Sequence, residues 1–526
     1  MQPKTSFLSL ARELLCYILS FLPYQNILRC TSVCKVLHQI YRSSSGLQYI
    51  IELSGQRLLP VPNTDIHTPT SIRLQTLRDR AHAWFKFDLH SFKTIALPKI
   101  LYAKKTFVTD GHLCMWDESS DQAWIIPILP KPSQRTIKRH WSPGTLCLVP
   151  HLTTLDVLMD PVQNLIAIVY SVADEDDYLQ SEKMVSIDLR ALDGDSIHPK
   201  AAGRTLIVSG PGPCDNVNRL KTTFAKLKGC GRHIALQRTL EVDGRDWFSP
   251  RTAQWQLQIW DWQNSMASNS VLSDTIPHLM SDDPNEFCFL GNDRLLVVTD
   301  SLKLYSIEDM SQTPQFLACF QLPIPLKRVH CHPPMDDIEH SSSQLQMQTQ
   351  QTMYTSDPTH RLLCFTSAYR TMVFVISTRI FFNLDGFAAA TPIPWNLWGP
   401  SNTRVFQYPF LCKVHISGHR VLQAFTTPDR HAEYEVHMMD FSPLAVSNRQ
   451  GLGRVVKEPS TIEETIYTTK TENVEITSSL PYVEVVSDSK FYVPHLQRIW
   501  LDKDRVYLLS VKWDSPQSSR LDVIDI

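Results

Sequence analysis

The sequence predicts a small all-α unit of three helices at the N-terminus, followed by a large all-β domain built as a β-propeller of about seven blades. Three observations predict it. Between Leu10 and Tyr41, apolar residues recur at helical spacing in three short segments. Beyond about residue 90 that period disappears, and short runs rich in β-branched and aromatic residues alternate with turn clusters. Most of these runs end in an apolar residue followed by an acid, at roughly regular intervals. A chain of 526 residues with 43% hydrophobic content has the material for more than one core.

In the first segment Leu14, Leu15, Ile18, Leu19 and Leu22 make one apolar stripe. Pro23 stops that helix, because its ring cannot accept the next turn. Asn26 is a good N-cap for a second helix carrying Ile27, Leu28 and Thr31, and Ser32 can cap a third through Lys35, Val36, Leu37 and Ile40. Three helices this short cannot bury their own apolar faces and need a partner, either the rest of the chain or another protein.

This pattern resembles the F-box, the adaptor-binding motif of modular ubiquitin ligases. The family's consensus opens Leu-Pro-x-Glu, continues through a helix ending Ile-Leu-x-x-Leu, and closes Val-Cys-Lys/Arg followed by an aromatic. Leu10 and Glu13, then Ile18, Leu19 and Leu22, then Val33, Cys34 and Lys35 stand at the matching positions. Ala11 replaces the usual proline, and Leu37 sits where a tryptophan is common; both changes weaken contacts in principle. The resemblance implies a Skp-family adaptor as partner and, through it, a cullin. It implies that Leu10, Glu13, Leu14, Ile18, Leu19, Leu22, Leu28, Val33, Cys34 and Lys35 bind the adaptor, with Glu13 and Lys35 as charged rim contacts.

The stretch 5–50 is therefore expected to be the helical motif, and 51–90 a linker with a packing helix. Leu47 to Leu53 reads as a last helical turn or a short strand, and the proline-rich stretch after it as an exposed loop. Leu74, Leu77, Ala81, Trp84 and Phe85 share a helical face that would pack the first unit against the β-domain. That domain is expected over 91–526, with a mobile Ser/Gln-rich loop at 341–356. Its acid-terminated runs close at Trp116-Asp117, Ile187-Asp188, Trp260-Asp261, Ile307-Glu308, Met439-Asp440 and Ile524-Asp525. An unmarked repeat near Phe381 to Leu384 completes about seven. The intervals are roughly 45 to 85 residues, against ~40–45 for a tight WD repeat, so insertions are implied. The last strand, Leu521 to Asp525, would need an N-terminal strand to complete its blade, and Phe92 to Leu97 lies in the right place. A pair of β-sandwiches is the competing architecture.

The segment Ile393 to Phe406 looks like a Pro-Trp…Trp-Gly-Pro…Asn-Thr-Arg signature shared by many fungal F-box proteins, whose C-terminal region is β-rich. Trp395 and Trp398 between Pro394 and Pro400 make a stiff aromatic loop, either a plug between blades or an exposed recognition surface.

No chemistry stands out. A net charge of −2 gives no global attraction to nucleic acid or acidic membranes. Twelve cysteines without a CxxC pair signal neither a zinc ribbon nor a disulfide framework. With no Asn-x-Ser/Thr acceptor and no membrane-length apolar run, the reading is a cytoplasmic or nuclear chain. His431, Glu433, Glu435 and His437 alternate along a strand and do not converge as metal ligands must, while His330, Cys331 and His332, followed by Asp336, Asp337, Glu339 and His340, precede the Ser/Gln tract and read as a polar loop edge. Gly210 to Pro213 lacks the lysine and helix of a phosphate loop, and Lys131 to His140 is a short basic loop. No catalytic residue and no cofactor is assigned. The expected function is target recognition for a ubiquitin ligase, with the target unknown. A scaffold without ligase role, or a propeller-hosted enzyme, is the alternative.

Overall fold

The computed structural model describes residues 7–61, 68–86, 92–97, 103–130, 136–147, 149, 152–173, 182–210, 220–242, 253–276, 286–326, 329–332, 354–367, 372–386, 391–408, 412–427, 430–447, 451, 453–467, 471–487, 491–493, 496–511 and 519–526. The N-terminal unit has helices α1 (Arg12–Ser20), α2 (Tyr24–Val33), α3 (Lys35–Ser43) and α4 (Ser45–Gly55). Two caps differ from expectation. Pro23, already extended (φ −54°, ψ 144°), precedes α2 directly, so Asn26 falls inside the helix. Ser32 lies in the last turn of α2, where its hydroxyl donates to the Arg29 carbonyl at 2.7 Å, and Cys34 stands at the N-cap of α3. The segment 47–53 is helical, with the Ser44 hydroxyl accepting from the Leu47 N–H at 3.3 Å. This fourth helix gives the unit a core of its own: Leu15, Leu19, Leu37, Ile40 and Leu47.

Helix α5 (Thr70–Phe85) seats that unit on the β-domain. Arg78 bridges back to α4 through Glu52 (3.3 Å) and Gln48 (3.1 Å), while Leu77 packs with Leu53 of α4 and Tyr354. At its far end Trp84 is fully buried among Leu422, Val436, Met438, Leu501 and Leu508, with the Arg420 guanidinium over its ring. Arg80 pairs with Asp504. The stretch after α4, expected to be a loop, contributes a strand (Leu58–Pro60) that pairs antiparallel with Tyr354–Ser356. The end of the expected mobile tract is thus ordered by a backbone ladder, while 333–353 lies outside the described residues.

The described strands form seven blades around a ring, six sheets of four strands and one of six, plus two two-stranded pairs. Blade 1 holds Lys105–Thr109, His112–Asp117, Gln122–Pro127 and Arg139–Trp141. Blade 2 holds Leu152–Asp160, Leu165–Ala173, Glu182–Ala191 and Thr205–Ile207. Blade 3 runs from Leu220–Cys230 to Ser270–Ile276, and blade 4 from Glu286–Phe289 to Gln315–Gln321. Blade 5 begins at Val329–His332 and ends at Thr403–Gln407; blade 6 begins at Cys412–Ser417 and includes Tyr482–Val486. Blade 7 has Leu496–Leu501, Arg505–Ser510 and Arg520–Asp525, completed by Lys93–Ala96 from the N-terminal side. That closing strand joins the two ends of the ring: Thr94 donates to Asp522 (2.6 Å) and Lys93 pairs with Asp525 (3.0 Å). Closure leaves the ring no open sheet edge at the seam.

The acid-terminated runs map unevenly. Trp260-Asp261, Met439-Asp440 and Ile524-Asp525 close third strands, and Ile307-Glu308 follows one directly. Ile187-Asp188 lies inside a third strand, and Trp116-Asp117 closes a second. Phe381 to Leu384, expected as part of a repeat, sits in and after a helical turn (Arg379–Phe382) that follows the third strand of blade 5. The fifth repeat exists, displaced from that position. Among the described residues no helix is long and apolar enough to cross a membrane.

Candidate protein-docking surface

On α1 the five-residue apolar stripe splits. Leu15 and Leu19 are each 2% exposed and face α3 and α4, whereas Leu14 and Ile18 are 50% and 40% exposed on the other side. The reason is geometric: residues four apart lie above one another, so Leu15/Leu19 and Leu14/Ile18 form two parallel rows. Leu19, expected among the adaptor contacts, is buried in the unit's own core. Leu22 and Cys34 are partly buried against that same core, and Leu28 is half-buried. Leu10, Glu13, Val33 and Lys35 are exposed, Val33 the most open of the apolar set at 78%.

The outward row is longer than the sequence pattern assigns. Tyr17 and Phe21, each three residues beyond an expected contact, are exposed and meet edge to face with ring centroids 4.8 Å apart. Val36, at the start of α3, is exposed as well. Helical spacing from Leu14 and Ile18 was the signal that could have found Tyr17 and Phe21. Glu13 lies in the first turn of α1, where a carboxylate suits the helix dipole, and Arg12 donates to the Ser43 hydroxyl, tying α1 to the end of α3. Exposed apolar residues at 10, 14, 17, 18 and 21, with exposed Glu13 and Lys35 on the same unit, have the composition of a protein-docking face.

The F-box domain family model matches residues 7–45. The N-terminal unit is an F-box. The match ends at the start of α4, the helix that fills the F-box core and carries the contacts to α5. No curated protein matches the chain. Among solved structures, Citrobacter koseri AztD is similar at 12% identity over 74% of this chain and 76% of that one, with a TM-score of 0.27. The N-terminal domain of Nup159 is similar at 11% identity, 82% and 94% coverage, and a TM-score of 0.26. A prolyl oligopeptidase B from Galerina marginata, bound to a 35mer substrate, is similar at 11% identity with a TM-score of 0.31; the match covers 83% of this chain and 56% of that one. Likeness this distant carries no function across.

The other motifs resolve into structural roles. His437 sits between Glu484 (2.8 Å) and Glu435 (3.1 Å), and Arg454 also holds Glu484. Burial lowers the imidazole's pKa, but those two carboxylates outweigh it and raise it. Among the described residues no cluster of His, Cys, Asp and Glu could hold a metal. Of the His330 set, His332 bonds the Thr366 hydroxyl (3.1 Å) and Cys331 is buried; the acids after them, like Gly212 and Pro213, lie outside the described residues. Of the expected basic loop, 131–135 lie outside the described residues, and Arg139 opens a blade 1 strand, stacks over Trp141 and donates to the Gly194 carbonyl at 2.6 Å, joining blade 1 to blade 2. The aromatic segment, expected as a loop, is a short helix (Trp395–Asn402) plugging blade 4 to blade 5: Trp398 is fully buried against Phe320 and donates to the Gln321 carbonyl at 3.0 Å.

Proposed function

We propose that this chain is the substrate-recognition subunit of an SCF-type (Skp–cullin–F-box) E3 ubiquitin ligase. Its F-box docks a Skp-family adaptor, which links it to a cullin, and its propeller holds a target protein. The observation that carries this reading is the division of α1: one apolar row is consumed by the F-box core, and the other, from Leu10 to Phe21, stays open. Covering exposed Leu14, Ile18, Phe21 and Val33 contributes on the order of 1–2 kcal/mol each toward offsetting the cost of association. The chain itself performs no bond chemistry in this scheme. It raises the effective concentration of target lysines near the ligase's catalytic arm.

The attachment of α5 supports the same reading. Trp84, Arg78 and Arg80 lock the F-box to blades 6 and 7, so a target on the propeller keeps one distance from the adaptor. The test is affinity capture from cells, comparing the wild-type chain with Ile18→Asp. Wild type is expected to bring down adaptor and cullin; Ile18→Asp is expected to lose both while enriching targets that are held but no longer ubiquitinated. Capture of targets without adaptor or cullin by the wild-type chain would favour a scaffold instead.

A further inference from the structure

The first strands of the blades line the axis of the ring. The Lys105 amine in blade 1 reaches Asp156 in blade 2 (2.9 Å) and the Leu227 carbonyl in blade 3 (3.0 Å), a reach across two blade seams that only the hub permits. Lys226 and Lys228 in blade 3 both pair with Glu286 in blade 4. Among the described residues, two more first-strand cations have no carboxylate. Arg498 in blade 7 donates to the Thr106 carbonyl (3.0 Å), and Lys413 in blade 6 has Arg498, not an acid, as its charged neighbour among the described residues. Their strands are adjacent, joined where the Leu501 N–H meets His415 at 3.1 Å. Among the described residues of this cluster, five cations (Lys105, Lys226, Lys228, Lys413, Arg498) therefore face two carboxylates (Asp156, Glu286), an excess of three positive charges.

Burial holds both the Lys413 amine and the Arg498 guanidinium below their ordinary ranges, and Arg498 adds to the effect on Lys413. Arg498 nevertheless stays open to solvent, as a channel wall would leave it. Lys105 and Glu286 are the first residues of their strands, Lys413 the second and Arg498 the third, whereas Asp156, Lys226 and Lys228 lie at or past the middle of their longer strands. The strands' other ends lead to Gly418 and Asp504, where α5 docks. In blades 6 and 7 the unpaired cations thus lie toward the strand ends opposite α5.

We propose that this first-strand cluster binds a small polyanion carrying two or more phosphate groups. It would supply the negative charge that Lys413 and Arg498 lack and tie blades 6, 7 and 1 together. A small free anion fits better than a peptide side chain because the cations lie along the wall, with Lys105, Lys228 and Arg498 each held to a carbonyl of another blade. The proposal is independent of adaptor binding. The test is calorimetric titration of the full chain with sodium tripolyphosphate at low salt, alongside a doubly phosphorylated serine peptide. The expected result is one tripolyphosphate per chain and a raised unfolding temperature. The Lys413→Met/Arg498→Met double variant should lose affinity ten-fold or more while remaining as stable as wild type without ligand, and Lys303→Met, on a third strand, should bind as wild type does. Absence of tripolyphosphate binding, binding unchanged in the double variant, or saturation by the phosphopeptide alone would each overturn the proposal.

Discussion

At Glu286 burial and charge oppose each other. Burial pushes its carboxyl up, but Lys228 and Lys226 outweigh it and hold the pKa down at about 2. A depressed folded-state pKa stabilises the fold above the unfolded value, near 4.5, and that contribution is lost as pH falls from there toward 2. The full drop is on the order of 3 kcal/mol, and urea unfolding at pH 5 and pH 3 would reveal about 2 kcal/mol of it as a loss that Glu286→Gln no longer shows. At neutral pH the same substitution strands two enclosed lysines and should cost roughly 3–5 kcal/mol. None of this was legible in the sequence, because Lys226 and Glu286 meet only across a blade seam. The α1 stripe was legible as a stripe. Its division was not, because α4, far along the chain, decides which row is covered.

Local elements carry their own tests. In the Trp395–Asn402 helix, Gly399 lies against the Trp395 ring so closely that an added Cβ would meet ring carbons at 2.3–2.5 Å. Gly399→Ala should therefore destabilise the chain by about 1–3 kcal/mol, read as a lower urea midpoint. The prolines and tryptophans of this segment announced rigidity; that it would be a helix depended on neighbours, since Trp398 finds its acceptor on blade 4. The closing strand was legible because Leu521–Asp525 lacked a fourth strand and Phe92–Leu97 was the one spare run before the ring. Ile95→Pro would remove backbone pairing opposite Leu521, and hydrogen exchange should then show Arg520–Asp525 losing protection before the other blades do.

At the scale of the whole molecule, two bodies act as one because α5 belongs to both. Trp84→Ala removes a fully buried side chain from the core shared by blades 6 and 7, and should cost about 3–5 kcal/mol in unfolding experiments. The two-part architecture was readable from the change of period near residue 90, and ring closure from the repeat of acid-ended strands. Blade boundaries were harder to place because Ile187-Asp188 and Trp116-Asp117 occupy different strand positions from the rest. The most direct measurement is calorimetric titration of the chain with purified Skp-family adaptor, for wild type and Ile18→Asp. A one-to-one complex with Kd below about 1 μM, lost in Ile18→Asp while the propeller's unfolding temperature is unchanged, is the expected result; no binding by wild type, or equal binding by Ile18→Asp, would contradict it.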